Sequence, residues 1–219
     1  MSVASVTVVV PVRDGERYLG EALASLRGRA EIAGIVVVDD GSTDRTPEVA
    51  RADSRVRYLC QEPAGVSAAR NRGVRATATE LVGFIDADDL WCAPAGADPR
   101  LTALVADPGL DGVFARAQLF RDGGAGGRDL GPVYPTHQLG AGLFRRALFD
   151  RVGVFDETLI GGEDLEGYLR ALDGGARFAS LADVTLLYRR HGANMTFDGA
   201  ETQRFLLSAL DRSIRRRKG

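Results

Sequence analysis

The first ninety residues alternate between two hydrophobic patterns. Four short β-rich runs, at positions 7–10, 35–38, 56–59 and 81–85, predict strands, and the first of them is expected to be buried. After the first run, apolar residues recur at spacings of three and four, which predicts an amphipathic helix that ends at Gly28: Leu19, Ala22, Leu23 and Leu26. This alternation favours parallel strands joined by crossover helices.

Two further helices are predicted from the residues at their starts. Thr46, Pro47 and Glu48 offer a capping hydroxyl, a first-turn proline and a first-turn acid, so a helix is expected from Thr46 towards Arg51. Ser67 is expected to cap the next helix, which runs through about residue 76.

The second half is less regular. Strands are expected at 112–120 and 184–188, and helices at 143–151, 164–172 and 199–217. The glycine-dense segment 121–135 is interpreted as a mobile or functional loop. No repeat or linker separates the halves, which predicts a single domain over residues 1–219.

Composition excludes some classes of function. The chain has 219 residues, is 45% apolar and carries a formal net charge of −2, so no strong positive field points to nucleic acid as a partner. The last nine residues differ, because five basic side chains stand there beside one acid. A solvated terminus explains such a run, and a peripheral contact with an anionic membrane surface is the alternative.

The cysteines and the start of the sequence bear on location. Cys60 and Cys92 lack metal-motif spacing and do not cluster with the two histidines, so no zinc site is predicted and a reducing compartment is expected. The start has no basic leader region, and its apolar run at 6–12 is far shorter than the about 20 residues of a membrane span. A cytoplasmic location is therefore expected.

Acidic side chains directly follow two of the predicted strands. Asp39 and Asp40 follow the second strand, and Asp86 and Asp88 follow the fourth. Since the carboxyl ends of parallel strands form a ligand crevice, these carboxylates are expected to converge there. Such a group suits a divalent cation, a ribose or both. Turn formation and helix capping are the alternative explanation, which two pairs on successive loops make less favourable.

Six segments between residues 6 and 196 occur in a recognisable order: TVVVPVRDGERYLGEALASL, EIAGIVVVDDGSTDRTPEVA, GVSAARNRGV, LVGFIDADDLW, LFRRALFDRVGVFDETLIGGEDLEGYLRAL and LLYRRHGANMT. In this order they resemble glycosyltransferase family 2. The resemblance implies the GT-A fold, an α/β domain with a single Rossmann-like mixed sheet, mostly parallel and flanked by helices. It also implies a nucleotide-sugar-binding half over about 1–92 and an acceptor-binding half with a C-terminal helix over about 93–219.

The resemblance assigns the donor side of the site. Residues matching the family's nucleotide-sugar-binding positions are Pro11, Val12, Arg13, Asp40, Arg70, Asp86 and Ala87. Among them, Asp40 is expected to accept a hydrogen bond from the base, and Arg70 is expected near the nucleotide and its phosphates, although pairing with a surface acid would also explain it. Asp88 and His191 match positions that approach a divalent metal, Mn²⁺ or Mg²⁺, and a loop histidine without a ligand is the alternative for His191.

The resemblance also assigns the acceptor side. Asp164 matches the acid taken to be the catalytic base of inverting members, with Glu163 beside it. Arg145 is expected to brace the acceptor side rather than to perform chemistry. First-turn acids favoured by a helix dipole are the alternative for Asp164 and Glu163. Gly161 and Gly162 permit an unusual entry into that helix and close approach of a substrate.

The expected function is the metal-dependent transfer of a sugar from a nucleotide-diphosphate sugar to an acceptor nucleophile, with inversion. A noncatalytic sugar-nucleotide-binding module and a sugar-nucleotide hydrolase are the alternatives. The acceptor class stays open between a glycan, a lipid-linked compound, a peptide and a small molecule. Small residues replace the family's usual long polar helix after DDLW, which predicts a minimal acceptor pocket.

Overall fold

The computed structural model describes residues 5–92, 97–192 and 199–218. The strands in these ranges are β1 (Val6–Val12), β2 (Ile32–Asp39), β3 (Val56–Cys60), β4 (Leu81–Phe84), β5 (Leu90–Trp91), β6 (Gly112–Asp122), β7 (Arg128–Pro135), β8 (Gly142–Arg145) and β9 (Phe178–Arg189). The helices are α1 (Leu19–Ser25), α2 (Thr46–Arg51), α3 (Val66–Arg75), α4 (Pro99–Ala106), α5 (Arg146–Val152), α6 (Glu163–Asp173) and α7 (Gly199–Lys218).

One continuous sheet runs through both halves of the chain. Its strand order is β3-β2-β1-β4-β8-β6-β9-β5, and β7 pairs with β6. The first four strands in this order are parallel to one another, as is the pair β6 and β9. Strand β8 joins the two parts because it runs antiparallel to both β4 and β6. The expected mixed α/β sheet flanked by helices is confirmed.

Strand β1 lies at the centre of the first half and is buried along its whole length. Val8 and Val10 belong to one core cluster with Leu19 and Leu23 of α1. Val9 belongs to a second core cluster and packs against α3, where a Cβ added to Gly73 would stand 2.2 Å from Val9 Cγ1. Burial of both faces explains why this strand is almost continuously apolar.

Two helix starts differ from the expectation. Thr46 is the first residue of α2 rather than its cap, and Asp44 Oδ1 accepts a hydrogen bond from Thr46 N at 2.9 Å. The Thr46 hydroxyl instead accepts from Gly15 N at 2.8 Å. Ser67 lies inside α3, after Gly65 has set the entry with a φ of 93°. A long-range backbone partner therefore outweighs the local capping preference at Thr46.

Two predictions in the second half need correction. The helix expected at 143–151 is present as α5 but begins only at Arg146, because residues 142–145 form β8 and fill the gap between β4 and β6. The segment expected as a loop at 121–135 is largely a β-hairpin, in which β6 and β7 pair around a short 3₁₀ turn at Gly124–Gly126. Gly126 has a φ of 76°, which suits glycine in this turn.

Helix α7 is held to the rest of the chain by its arginines. Arg212 pairs with Asp156, Arg216 with Glu166 at 2.7 Å, and Arg216 and Arg217 both with Asp173. The basic run noted in the sequence therefore makes ion pairs within the protein. Across the described ranges, no helix combines the length and the apolar character needed to cross a membrane.

Candidate active site

The loops after β1, β2 and β4 meet at one edge of the sheet. Backbone bonds join these strand ends, from Asp40 N to Val12 O at 2.8 Å and from Ile85 N to Val9 O at 3.1 Å. The loop after β1 is tied to the loop after β2, since Thr43 N donates to Asp14 Oδ1 at 2.7 Å and Asp14 N donates to a serine hydroxyl of that loop. Polar residues that resemble ordinary turn formers in the sequence thus fix the rim of a crevice.

Most residues expected to contact the nucleotide lie along this rim. Pro11 and Val12 are buried at the end of β1, and Arg13 is exposed directly after them. Ala87, in the loop after β4, faces Gly15 in the loop after β1. A Cβ added to Gly15 would stand 3.6 Å from the Cβ of Ala87. This placement agrees with a shared surface, and the roles of these residues stay predictions.

Asp40 is 5% exposed and holds the turn that leads into α3. Its Oδ1 accepts hydrogen bonds from Gln61 Nε2 and Ala64 N, and its Oδ2 accepts from Gly65 N, all at 2.8 Å. A carboxylate oxygen can accept two hydrogen bonds, so Oδ2 retains capacity for one more donor. Its contact with a base stays a prediction.

Arg70 connects the acidic turn after β4 to the start of α6. The side chain is buried; Nη2 donates to Asp86 Oδ1 at 2.9 Å, while Nη1 donates to Glu163 Oε1 at 2.7 Å and to Asp164 Oδ1 at 3.0 Å. Arg70 Nε is also buried and has no hydrogen-bond partner among the described residues. Arg70 therefore organises carboxylates from two distant parts of the chain. The sequence did not indicate this role, because arginine is common throughout the chain.

The surroundings of Asp164 favour its protonated form. Burial raises the pKa of the Asp164 carboxyl to about 7, with Glu163 and Asp86 adding to the rise and Arg70 opposing it. Its Oδ2 accepts a hydrogen bond from Leu139 N at 3.0 Å, so both oxygens are held in place. The pKa of the Arg70 guanidinium is raised above its usual value, because the three nearby carboxylates outweigh the effect of burial, which disfavours the positive charge. One positive charge thus faces three acids.

Asp88 and His191 contact each other near Asp86. His191 Nε2 lies 2.9 Å from Asp88 Oδ2, and its ring stacks on Tyr18 at a centroid distance of 5.1 Å. Burial and the nearby Asp86 raise the pKa of Asp88. Within residues 5–92, 97–192 and 199–218, no group of three or more His, Cys, Asp or Glu side chains converges as a metal site. A cation here would take two protein ligands and complete its shell from substrate oxygens and water.

Arg189 supports this acidic turn and was not singled out in the sequence. It is 2% exposed; its backbone N donates to Asp89 Oδ1 at 2.8 Å and its Nε donates to Asp88 O at 2.7 Å. Its other guanidinium nitrogens bind Glu21 and Asp122. The segment YRRHG contains Arg189 two residues before His191, and this adjacency is the signal that could have identified it.

Arg145 does not lie at this site. It pairs with Leu81 at the start of β4, at the opposite end of that strand from Asp86. Its guanidinium donates to the carbonyls of Leu110 and Leu104 at 2.9 and 2.8 Å and contacts Glu80. The expectation that Arg145 lies on the acceptor side is therefore wrong, because its side chain makes structural contacts at the far end of β4. Glu163, in contrast, lies in the site beside Arg70.

Comparison with known sequences gives a consistent set of relatives. The model of the family described as Glycosyl transferase family 2 matches residues 7–153. The succinoglycan biosynthesis protein ExoU of Rhizobium meliloti is 30% identical over 209 residues, which cover 79% of this chain and 58% of that protein. The pre-mycofactocin glycosyltransferase of Mycobacterium tuberculosis is 31% identical over 194 residues, covering 78% of this chain and 40% of that protein. The chain spans about half the length of these curated relatives.

Solved structures share the fold at lower sequence identity. The mannosyltransferase PcManGT from Pyrobaculum calidifontis, in complex with GDP-Man and Mn²⁺, has a TM-score of 0.69 at 22% identity and covers 96% of this chain and 64% of its own. S. aureus TarS in complex with UDP-GlcNAc has a TM-score of 0.68 at 22% identity, with 87% and 60% covered. These likenesses confirm the expected GT-A fold.

Proposed function

Because this chain belongs to glycosyltransferase family 2, we propose that it transfers a sugar from a nucleotide-diphosphate sugar to a hydroxyl or other nucleophile of an acceptor. The observation that carries the proposal is the arrangement around Arg70, which holds Asp86 of the D-x-D turn and Asp164 of α6 on one guanidinium. A donor-side acid and a candidate base thereby lie at the same edge of the sheet.

The donor is assigned to the rim formed by the loops after β1, β2 and β4. Pro11, Val12, Arg13 and Asp40 would hold the base and ribose, with Ala87 packing on the nucleotide and Asp86 facing the ribose. Two structural neighbours were solved with nucleotide sugars, UDP-GlcNAc and GDP-Man, which supports this class of donor without choosing between bases.

Asp88 and His191 fit a divalent cation of the Mn²⁺ or Mg²⁺ type. Their 2.9 Å contact brings a carboxylate oxygen and an imidazole nitrogen together, and Arg189 fixes the Asp88 backbone from behind. A bound cation would neutralise negative charge on the donor diphosphate. The structural neighbour that contains Mn²⁺ supports a divalent metal in this fold.

Asp164 is assigned as the general base. Its raised pKa makes it a competent proton acceptor near neutral pH, because the proton affinity of an ordinary aspartate is too low for that task. Asp164 would take the proton from the acceptor nucleophile as that atom attacks the anomeric carbon from the face opposite the diphosphate, which inverts the configuration. Arg70 is proposed to position Asp164 rather than to contact the phosphates.

Calorimetry on a donor-site variant tests the metal and donor assignments. We expect Asp88→Asn to weaken Mn²⁺-dependent binding of UDP or GDP by at least about tenfold, since a charged ligand is lost. Asp150→Asn is the matched control, because Asp150 is an exposed carboxylate on α5 that pairs only with Arg146 in the described contacts. Equal binding of the diphosphate with Mn²⁺ and with EDTA would contradict the metal assignment.

Product analysis separates transfer from its alternatives. Incubation with UDP-GlcNAc or GDP-Man, with and without added acceptors, distinguishes glycoside formation from release of free sugar by mass spectrometry. Glycoside formation supports transfer, free sugar without glycoside supports a hydrolase, and donor binding without turnover supports a binding module.

A further inference from the structure

The ring of Tyr18 contacts one candidate metal ligand and the arginine that supports the other. Tyr18 directly precedes α1 and is half-buried. Its ring stacks on the His191 imidazole, with centroids 5.1 Å apart and planes 28° apart. The guanidinium carbon of Arg189 lies 4.5 Å from the centroid of the same ring. One aromatic side chain at the start of α1 therefore contacts both the last residue of β9 and the histidine that follows it.

Four contacts join these residues to Asp88 in a closed ring. Arg189 Nε donates to Asp88 O at 2.7 Å, and Asp88 Oδ2 lies 2.9 Å from His191 Nε2. The imidazole stacks on Tyr18, and Tyr18 contacts Arg189. Each candidate ligand is thus held by the other ligand and by one supporting side chain, although the three segments involved are far apart in sequence.

Arg189 gives this ring a fixed support. It is 2% exposed; Nη2 donates to Glu21 Oε2 at 2.5 Å, and Nη1 pairs with Asp122. The guanidinium carbon also lies 4.5 Å from the centroid of the Phe120 ring. A planar guanidinium that binds two acids and packs on aromatic rings has little freedom to move. Tyr18 therefore contacts an immobile group as well as the imidazole.

We propose that Tyr18 and Arg189 are positioning residues for the divalent cation. Arg189 fixes the main chain at Asp88, and Tyr18 fixes the plane of the His191 imidazole. A cation binds more tightly when its ligands are already oriented, because less of the binding free energy is lost in ordering them. This inference rests on the proposed function, since it concerns the metal site assigned there.

NMR observes the stacking contact without any metal, because the chain contains two histidines and each stacks on a different tyrosine. His191 stacks on Tyr18, whereas His137 stacks on Tyr168 with centroids 4.1 Å apart. We expect Tyr18→Leu to shift the ring-proton signals of His191, since the aromatic neighbour is lost, and to leave those of His137 in place. Tyr18→Phe keeps the ring and should resemble the parent. Unchanged His191 signals in Tyr18→Leu would overturn the role of Tyr18.

Calorimetry with Mn²⁺ in the presence of UDP or GDP measures the effect on the cation. Loss of a contact that orients a metal ligand typically costs about 10- to 100-fold in metal affinity. We therefore expect Tyr18→Leu to weaken Mn²⁺ binding by at least about tenfold, whereas Tyr18→Phe should bind Mn²⁺ like the parent. Equal Mn²⁺ affinity of Tyr18→Leu and the parent would contradict the proposal, as would equal weakening in Tyr18→Phe.

Arg145 provides the matched control for Arg189. Each donates Nε to a backbone carbonyl and pairs with an acid, but Arg145 lies at the opposite end of β4 from Asp86. Lysine retains the charge at both positions and loses the planar fork, so both substitutions should lower the free energy of unfolding in urea. Only Arg189→Lys should weaken Mn²⁺ binding, again by at least about tenfold. The same weakening in Arg145→Lys would show that Mn²⁺ binding follows general stability, which contradicts positioning by Arg189.

The parent protein in these titrations separates this inference from the proposed function. Mn²⁺-dependent binding of UDP or GDP in the parent, with equal Mn²⁺ affinity in Tyr18→Leu and Arg189→Lys, contradicts only the positioning roles. If neither nucleotide binds to the parent in the presence of Mn²⁺, the proposed metal site is itself wrong, and the positioning roles are lost with it.

Discussion

The Asp164 carboxyl group receives opposing electrostatic influences. Arg70 donates to one of its oxygens at 3.0 Å, which favours the ionised form, whereas burial and the neighbouring acids favour the protonated form and prevail. A base must lose its proton easily enough to be ionised when the acceptor binds, yet hold the acceptor's proton afterwards. A pKa near neutrality satisfies both requirements.

The rate of transfer should therefore depend on pH in a defined direction. Because only the ionised carboxylate accepts a proton, we expect the rate to rise from about pH 6 to 8 with a midpoint near 7.

Two variants test which carboxyl group causes this dependence. Asp164→Asn should lower the rate of transfer by a factor of about 10² to 10⁴ while donor affinity is retained. Glu163→Gln is the matched variant: removal of that neighbouring charge should move the midpoint to lower pH without abolishing turnover. A pH-independent rate would contradict the assignment, as would full activity of Asp164→Asn.

The same pKa predicts a change in stability. The native protein binds a proton at Asp164 up to about pH 7, whereas the unfolded chain releases it near the ordinary value of 3.8, so the free energy of unfolding should fall as pH rises between these values. Asp164→Asn should remove this part of the pH dependence. Urea unfolding at a series of pH values measures it, and an unchanged slope in the variant would count against the raised pKa.

Arg70 should matter for stability as well as for geometry. We expect Arg70→Met to lower the free energy of unfolding at neutral pH by about 3 kcal/mol, because three acids then share a site without their cation. Arg75→Met is the control, since Arg75 lies on the same helix and is exposed. A loss in Arg70→Met no larger than in the control, measured by urea unfolding, would show that the cluster is not held by this charge.

The sequence predicted individual site residues better than their partners. Asp86, Asp88 and Asp164 stand in motifs that can be read locally, and the structure brings them to one edge. Arg70 meets Glu163 across 93 residues of sequence, and Arg189 meets Asp89 across 100. No local pattern encodes contacts at such separations, so the pairing of these arginines with the acids emerged only from the fold.

At the scale of elements, close packing decides the position of α3. Its glycine at position 73 lets the helix approach β1, and α3 carries Arg70 and the buried Asn71. Asn71 Nδ2 donates to Phe155 O and its Oδ1 accepts from Phe155 N, each at 2.8 Å. Contacts with β1 at Gly73 and with Phe155 at Asn71 thus fix the helix that carries Arg70.

Gly73→Ala should therefore disturb both stability and the site. The added methyl group would overlap Val9 Cγ1 at 2.2 Å, so we expect a loss of about 1 to 3 kcal/mol in the free energy of unfolding despite the better helix propensity of alanine. Gly20→Ala, which meets only an ordinary contact, should instead gain up to about 1 kcal/mol. Urea unfolding compares the two, and equal effects would contradict the packing argument.

The sequence predicted secondary structure well where the apolar pattern is long. It predicted less well where contacts with distant strands determine whether a segment is a helix, a strand or a loop. Strand β1 and residues 35–39 of β2 follow from continuous runs of β-branched residues that are buried on both faces. Residues 142–145 carry no such pattern and become a strand because β4 and β6 each present an edge to them. Glycine in the 121–135 segment suggested a loop, yet its flanks pair as a hairpin.

At the scale of the whole molecule, α7 closes over the start of α6. A Cβ added to Gly161 would stand 2.5 Å from the Phe205 ring, so this aromatic side chain packs directly on the backbone that leads to Asp164. Asp173 at the other end of α6 binds Ser213, Arg216 and Arg217. A single domain over the whole chain stays a prediction, which the continuous sheet supports.

The attachment of α7 should weaken when Asp173 is neutralised. We expect Asp173→Asn to speed amide exchange in α7 by about fivefold, since partly exposed ion pairs contribute up to about 1 kcal/mol, while exchange in β1 and β2 is unchanged. Asp150→Asn, which removes an exposed pair on α5, should leave α7 unaffected. Hydrogen exchange with mass spectrometry measures both, and equal exchange of α7 in all three proteins would contradict this attachment.

The order of strands in the sheet differs from their order in the chain, and this affects synthesis on the ribosome. Strands β1 to β4 form one side of the sheet and are made first, but the free edge of β4 is completed only by β8, about 60 residues later. At ribosomal elongation rates, that edge waits about 3 to 12 s for its partner. An unpaired apolar strand edge can pair with another chain. A nascent chain halted before Gly142 should therefore aggregate or recruit chaperones. Once β8 has left the ribosome, it can pair with β4 and cover that edge.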